Sequence, residues 1–373
     1  MENRTLFLIL CIVCTSLIPQ GIQPCTTFCL DNGVQLLVGK NTDFITRECL
    51  VFVNKRGVSK IAMTDSQKTF TPIRWTSRYG SVTFNQWGRE FPFSGMNEAG
   101  LVVSATGLQQ TKYSTPDKRS TITLWQWIQY QLDNFSLVKE VIQSDLQLRI
   151  PSFKDDLGFH YLVIDKEGNC AVIEFLDGVM VYYTNKNMPT IALTGSNPYS
   201  ESTAFLYKHI GWGGNLSIPQ AESPLERFVR VAYMLKKYDQ KTSAVIYAFD
   251  VLKAVELGEI EEVNGVRIAA GPIATEWSIV YDIKNLHVYF RTLSNQKIRH
   301  FNLSAFDFFC SLPVKVLDIH NNLSGDISNR FIDYTYEINN NLVRTFFKKV
   351  PLLSNKEIDI FSHYPETTIC TDR

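Results

Sequence analysis

Cys25-Thr-Thr-Phe-Cys-Leu-Asp-Asn-Gly-Val-Gln-Leu-Leu-Val-Gly-Lys-Asn-Thr-Asp43 is the stretch that decides the fold. Cys25 to Leu30 and Val34 to Lys40 are β-rich runs, and the Asp31-Asn-Gly33 between them is a strong hairpin signal. The hairpin predicts Cys25 at the start of an edge strand. It also predicts Asp43 just beyond the returning strand, brought back beside the cysteine.

Upstream of this hairpin lies a leader. Arg4 precedes an apolar run from Leu6 to Val13 that continues through Leu17-Ile18, the charged-then-apolar order of a secretory signal. The run is too short and too soon interrupted to span a membrane as a helix. Pro24 and Ile22 make a poor cleavage site directly before Cys25. Residues 1–24 are therefore read as a signal peptide with a short pro-segment: a cut after Gly21, then removal of Ile22-Gln23-Pro24. A lipoprotein signal is the competing reading, although small residues normally precede a lipidated cysteine. Once exposed, Cys25 offers a thiol nucleophile and, on the same residue, an α-amine of reference pKa ~7.7 able to act as its base.

The remaining residues, 25–373, suffice for one large domain or two modest ones and are read as a single domain, and 45% hydrophobic content with 12% aromatics supplies its core. The formal net charge is +0 and no long basic stretch occurs, so nothing favours nucleic acid or a membrane surface as partner. A small molecule is the expected substrate. Beyond the leader stand Cys25, Cys29, Cys49, Cys170, Cys310 and Cys370, in no zinc-binding pattern. Cys310 and Cys370 are expected to pair and tether the tail, whereas a catalytic Cys25 must stay free. Cys170, within Cys170-Ala-Val-Ile-Glu-Phe175, reads as a buried strand cysteine.

Further strands are expected at Leu50 to Asn54, Leu101 to Ala105, His160 to Ile164, Cys170 to Phe175 and Val179 to Tyr183, with a turn at Asp165-Lys-Glu-Gly-Asn169. Ile279 to Asp282 and His287 to Arg291 form a later strand pair. Helical spacing marks Thr121 to Leu132, Ser136 to Ser144, Pro224 to Lys237 and Thr242 to Leu257. Strands in runs and helices in pairs point to α+β sheets covered by helices. Residues 302–373, with strand-like pieces at Val314 to Ile319 and Phe331 to Ile338, read as an extension packed on the domain as an edge or lid.

Four segments in order carry a resemblance: Cys-Thr-Thr-Phe at 25–28, Gly-Lys-Asn-Thr-Asp at 39–43, Gly-Met-Asn-Glu-Ala-Gly-Leu at 95–101 and Arg-Phe-Val-Arg-Val-Ala at 227–232. Together they resemble the choloylglycine hydrolase and penicillin V acylase family over roughly residues 25–300. The resemblance implies an N-terminal-nucleophile hydrolase, a four-layer αββα sandwich of two antiparallel sheets. It further implies that Cys25 attacks an amide carbonyl, that Asp43 holds its α-amine, and that Arg227 stabilises charge around them. No metal or organic cofactor is implied, and a homo-oligomer, a tetramer in related proteins, is.

Three positions depart from the family pattern. Lys40 stands where an arginine is common ahead of Asn-x-Asp, keeping the charge without the planar fork. Gly107 falls where an oxyanion-hole Asn or Tyr often lies; its N–H remains, but a side-chain donor worth ~3 kcal/mol in a transition state is gone. The usual Thr-Asn-Ser-Pro reads Thr194-Gly-Ser-Asn197-Pro198, so the second asparagine is either absent or displaced to Asn197, the residue assigned. Phe44 and Trp87 are candidates to line an acyl site, and equally candidates for plain core aromatics. His160 begins a strand and is read as a sheet residue ahead of a papain-like partner for a cysteine. Asn134, Asn215, Asn302 and Asn322 sit in glycosylation sequons.

The expectation is a secreted or periplasmic cysteine amidohydrolase of an N-acyl small molecule. Penicillin V, conjugated bile acids and N-acyl homoserine lactones are all processed in such families, and the sequence does not choose among them. The alternatives are a catalytically impaired binding homologue and a lipoprotein anchored at Cys25.

Overall fold

The opening hairpin forms in the computed structural model, which describes residues 25–63, 71–152 and 157–371. The leader and its processing site lie outside the described residues. Strand Thr26–Asp31 pairs antiparallel with Leu36–Phe44, placing Thr26 opposite Asn41 and Phe28 opposite Gly39. Between them the Asn32 side chain accepts from the main-chain N–H groups of Val34 and Gln35 at 3.0 and 2.6 Å. Those amides are thereby turned away from a ladder, so the return strand starts at Leu36 and not at Val34.

Two edge expectations are corrected. Cys25 does not open an edge strand, because Ala192–Thr194 pairs along the outer side of Thr26–Asp31, with Thr26 opposite Thr194. That strand is three residues long, too short to declare itself by periodicity. Asp43 lies within Leu36–Phe44, a strand buried along its whole length. The polar run Lys40-Asn-Thr-Asp43 reads as a strand end only because its bonds are made inside: the Asn41 amide donates to the Leu252 carbonyl at 2.8 Å and accepts from Ser278 Oγ at 2.7 Å.

Seven strands form the first sheet, in the spatial order Ala192–Thr194, Thr26–Asp31, Leu36–Phe44, Ala274–Asp282, His287–Thr292, Asn295–Asn302 and Gly325–Asp326. Only its last pair is parallel. The second sheet is antiparallel throughout and has nine strands: Val179–Thr184, Cys170–Leu176, Phe159–Ile164, Val102–Gly107, Ser94–Asn97, Ser81–Asn85, Leu50–Asn54, Lys315–Asp318 and Ile332–Asp333. The sheets meet face to face, with Thr27 Oγ1 3.0 Å from Ser104 Oγ and Tyr281 Oη 2.8 Å from Ser94 Oγ.

Helices cover both outer faces. On the nine-stranded sheet lie α1, Trp127–Asn134, and α2, Val138–Ser144. The seven-stranded sheet is flanked by α3, Tyr199–Leu206, α4, Pro224–Lys237, and α5, Ala244–Lys253. This is the four-layer α+β sandwich expected. Helix α4 has the expected bounds, because Ser223 accepts from the Glu226 N–H, Pro224 occupies the first turn and Lys236 and Lys237 the last. Helix α1 starts later than Thr121, since Ser120–Thr121 pairs instead with Leu148–Arg149.

The expected strand over Phe331 to Ile338 is only Ile332–Asp333, after which Thr335 caps α6, Tyr336–Lys349. Helix α7, Asn355–His363, follows. Strand Lys315–Asp318 pairs with Leu50–Asn54 and extends the second sheet. Cys310 and Cys370 form the expected disulfide.

Candidate active site

Cys25 precedes the first residue of an inner strand, fully buried, and its carbonyl accepts from the Gly195 N–H at 3.0 Å. Three charged side chains converge on it. Lys40, on the neighbouring strand, is fully buried and donates to the Ala105 carbonyl at 2.7 Å, which orients its ammonium between the two sheets. Arg227 on α4 is also fully buried, and its Nη1 donates to Thr26 Oγ1 at 2.8 Å and to Asp43 Oδ2 at 3.1 Å. The other Asp43 oxygen accepts from Thr275 Oγ1 at 2.5 Å.

Burial dominates the electrostatics. It pushes the Cys25 thiol up, and the Asp43 charge adds to the rise, while the Lys40 charge, the Asp43 main-chain N–H and Arg227 pull it back toward thiolate. Burial likewise lowers Lys40, against the attraction of Cys25 and Asp43. Asp43 is pushed up to about 6 by burial, with Arg227, the Thr275 hydrogen bond and Lys40 opposing the rise. An anion forming on sulfur or on a substrate oxygen would thus sit among two buried cations and one carboxylate.

Asp43 therefore meets Cys25 through its main-chain N–H at the thiol, and its carboxylate is fixed by Arg227 and Thr275. Each carboxylate oxygen has a second lone pair with which to accept from an α-amine. Thr275 was not anticipated. It faces Asp43 across the sheet, and its hydroxyl also accepts from the Leu257 N–H at 2.8 Å.

Asn197 lies in the partly exposed turn between strand Ala192–Thr194 and α3. That turn begins at Gly195, against the Cys25 carbonyl, and ends where the Tyr199 N–H donates to Glu174 at 2.7 Å. Gly195 thus stands next to Cys25, with Asn197 two residues on. Gly107 ends its strand opposite Phe159, two residues beyond the carbonyl that holds Lys40. His160 is the buried sheet residue expected, with Nδ1 3.1 Å from Glu174. Cys170 is buried in a strand, and its thiol is pushed up to about 12 by that burial.

Phe44 and Trp87 belong to one aromatic cluster. The Phe44 ring stacks on Phe346 of α6 with centroids 5.6 Å apart, and Trp87 lies 4.4 Å from Phe93 and 6.4 Å from Phe346. Phe93 in turn is 5.7 Å from the Lys40 ammonium, so the cluster adjoins the charged site.

Residues 25–323 match the family described as linear amide C–N hydrolases, choloylglycine hydrolase family. The chain belongs to that family. It is 24% identical over 267 residues to a penicillin V acylase of Pectobacterium atrosepticum, across 63% of this chain and 69% of that protein. Among solved structures, penicillin V acylase from Agrobacterium tumefaciens superposes with a TM-score of 0.69 at 24% identity, covering 83% of this chain and 98% of its own. A variant of conjugated bile acid hydrolase from Clostridium perfringens gives 0.65 at 19% identity, over 80% and 98%. These likenesses establish a shared fold. Helices α6 and α7 lie beyond the end of the family match.

Proposed function

We propose that this linear amide C–N hydrolase works through Cys25 as an N-terminal nucleophile, on an N-acyl small molecule of the kind named by its relatives, penicillin V or a conjugated bile acid. The reading includes export of the chain and removal of residues 1–24, which frees the α-amine. The observation that carries it is the convergence of buried Lys40, Arg227 and Asp43 on Cys25.

The chemistry follows from that arrangement. The α-amine takes the thiol proton, and the thiolate adds to the amide carbonyl. The oxyanion is held by main-chain N–H groups, for which Gly107 and the turn residues Ser196 and Asn197 are the candidates, the Gly195 N–H being taken by the Cys25 carbonyl. Collapse breaks the C–N bond as the α-ammonium returns the proton to the leaving amine. Water, deprotonated by the same amine, then cleaves the thioester. Asp43, fixed by Arg227 and Thr275, holds the amine in place, and Lys40 favours thiolate.

N-terminal sequencing and intact mass of exported protein should find a free Cys25, and Cys25→Ser should lose at least 100-fold in hydrolysis of a panel of N-acyl amides. A blocked or lipidated terminus, or an active serine variant, defeats the thiolate mechanism. An inactive wild type that still binds the panel would leave a binding protein on the same fold. Assembly as a homo-oligomer is part of the proposal and is read from the mass in solution.

A further inference from the structure

An acyl group on Cys25 needs apolar surface near the nucleophile, and the aromatic cluster adjoins the charged site through Lys40. Phe44 directly follows Asp43, whose N–H faces the thiol. Phe93 lies against Lys40, and Trp87 lies against Phe93. Into this cluster α6 inserts Phe346, fully buried and parallel to Phe44 with an interplanar angle of 1°. The helix comes from outside the family match, so this part of the cluster is an addition made by the C-terminal extension.

The extension is fixed in place. The turn presenting Trp87 is shaped to receive it: Gly88 adopts φ +103, and a Cβ there would meet Val343 of α6 at 2.6 Å. The Arg89 N–H donates to buried Asn339 Oδ1 at 2.7 Å, and the Asn339 amide donates on to the Ser362 carbonyl of α7 at 2.9 Å. Tyr364 Oη donates to the Ile61 carbonyl at 2.9 Å, and the Cys310–Cys370 disulfide closes the tail. A segment held at so many points, those at Gly88 and Asn339 buried, is a wall, not a swinging lid.

We infer that α6 is a permanent wall of the acyl site and that Phe346 limits the enzyme to short acyl groups, by filling the space along Phe44 and Trp87 that a longer chain would take; of the two substrate kinds named above, this disfavours the bulky steroid acyl of a conjugated bile acid. The inference rests on the amidase reading above, so its test has a separate binding arm. Mature protein would be assayed on 4-nitroanilides carrying acetyl, butanoyl, octanoyl and dodecanoyl groups. Wild type is expected to favour the two short ones. Phe346→Ala should raise the octanoyl-to-acetyl ratio of kcat/KM at least tenfold, and Phe346→Leu, which keeps an apolar side chain in the core, should give an intermediate rise. Folded variants with an unchanged ratio overturn the inference. If wild type cleaves none of the series, the amidase reading falls for these amides. The wall is then judged by calorimetric Kd ratios for the same compounds in Cys25→Ala with and without Phe346→Leu. A shifted ratio upholds it, and an unchanged ratio or no binding to any member overturns it.

Discussion

Asp43 sits between opposing influences whose balance sets a pH dependence. Burial has raised it to about 6, above the ordinary carboxylate range, while Arg227 and Thr275 favour its ionised form. The folded state therefore holds the proton more tightly than the unfolded chain, and stability falls as pH rises from ~4 through about 6. On the proposed mechanism activity should run the other way, because there the carboxylate is ionised to hold the α-amine: kcat/KM is expected to rise with pH through about 6. In Thr275→Val the favourable hydrogen bond is gone, so the acid limb should move to higher pH. A bond of ~1 kcal/mol makes the rate at pH 6 about three-fold lower, with less change on the plateau. A pH–rate profile of both proteins checks this, and an unmoved limb would show that Asp43 does not govern it. Cys25, Lys40, Asp43 and Arg227 were legible in the sequence because each lies in a distinctive segment. Thr275 was not, since a threonine in a strand is unremarkable by itself and its partner is 232 residues away.

Elements were legible where local signals and tertiary demands agreed. The hairpin turn and the capped, amphipathic α4 are local statements, and they stand close to where the pattern puts them. Strand ends failed where polar residues are satisfied inside the sheet, as in Lys40 to Asp43. Helices α6 and α7 lie outside the sequence expectation although Ser354 and Glu357 form a capping box and Leu342, Val343, Phe346 and Phe347 share one face, because the β-rich Phe331-Ile332 start carries a strand signal into the same segment. Within the hairpin itself, Gly39 is dictated by a close approach. It faces Phe28 across the ladder, and a Cβ there would lie 2.3 Å from the ring. Gly39→Ala must displace that ring from a fully buried site, so a loss of ~1–3 kcal/mol in urea unfolding is expected. An unchanged midpoint would mean that the ring moves freely, and with it the strand that leads from Cys25.

The whole molecule joins two sheets by contacts that no window of sequence contains. Thr27 with Ser104 and Ser94 with Tyr281 link strands far apart in the chain, and the strand order interleaves early and late segments. The pattern of elements therefore reached sheets covered by helices and the family resemblance the four-layer sandwich, whereas the role of the tail in closing the aromatic cluster was readable through neither. The Cys310–Cys370 bond, 60 residues apart, tests how that tail is kept. Closing such a loop restricts the unfolded chain by an amount worth ~4 kcal/mol in the chain-entropy model. The native tail has its own anchors in Asn339, Tyr364 and the pairing of Ile369–Cys370 with Val58–Ile61. The Cys310→Ser and Cys370→Ser double variant should accordingly lose ~3–4 kcal/mol in urea unfolding while Phe346 stays on Phe44. Its acyl-length preference should then match that of wild type. A variant of reduced stability that also accepts longer acyl groups would show instead that the covalent tether, and not the buried contacts of α6, holds the wall against the site.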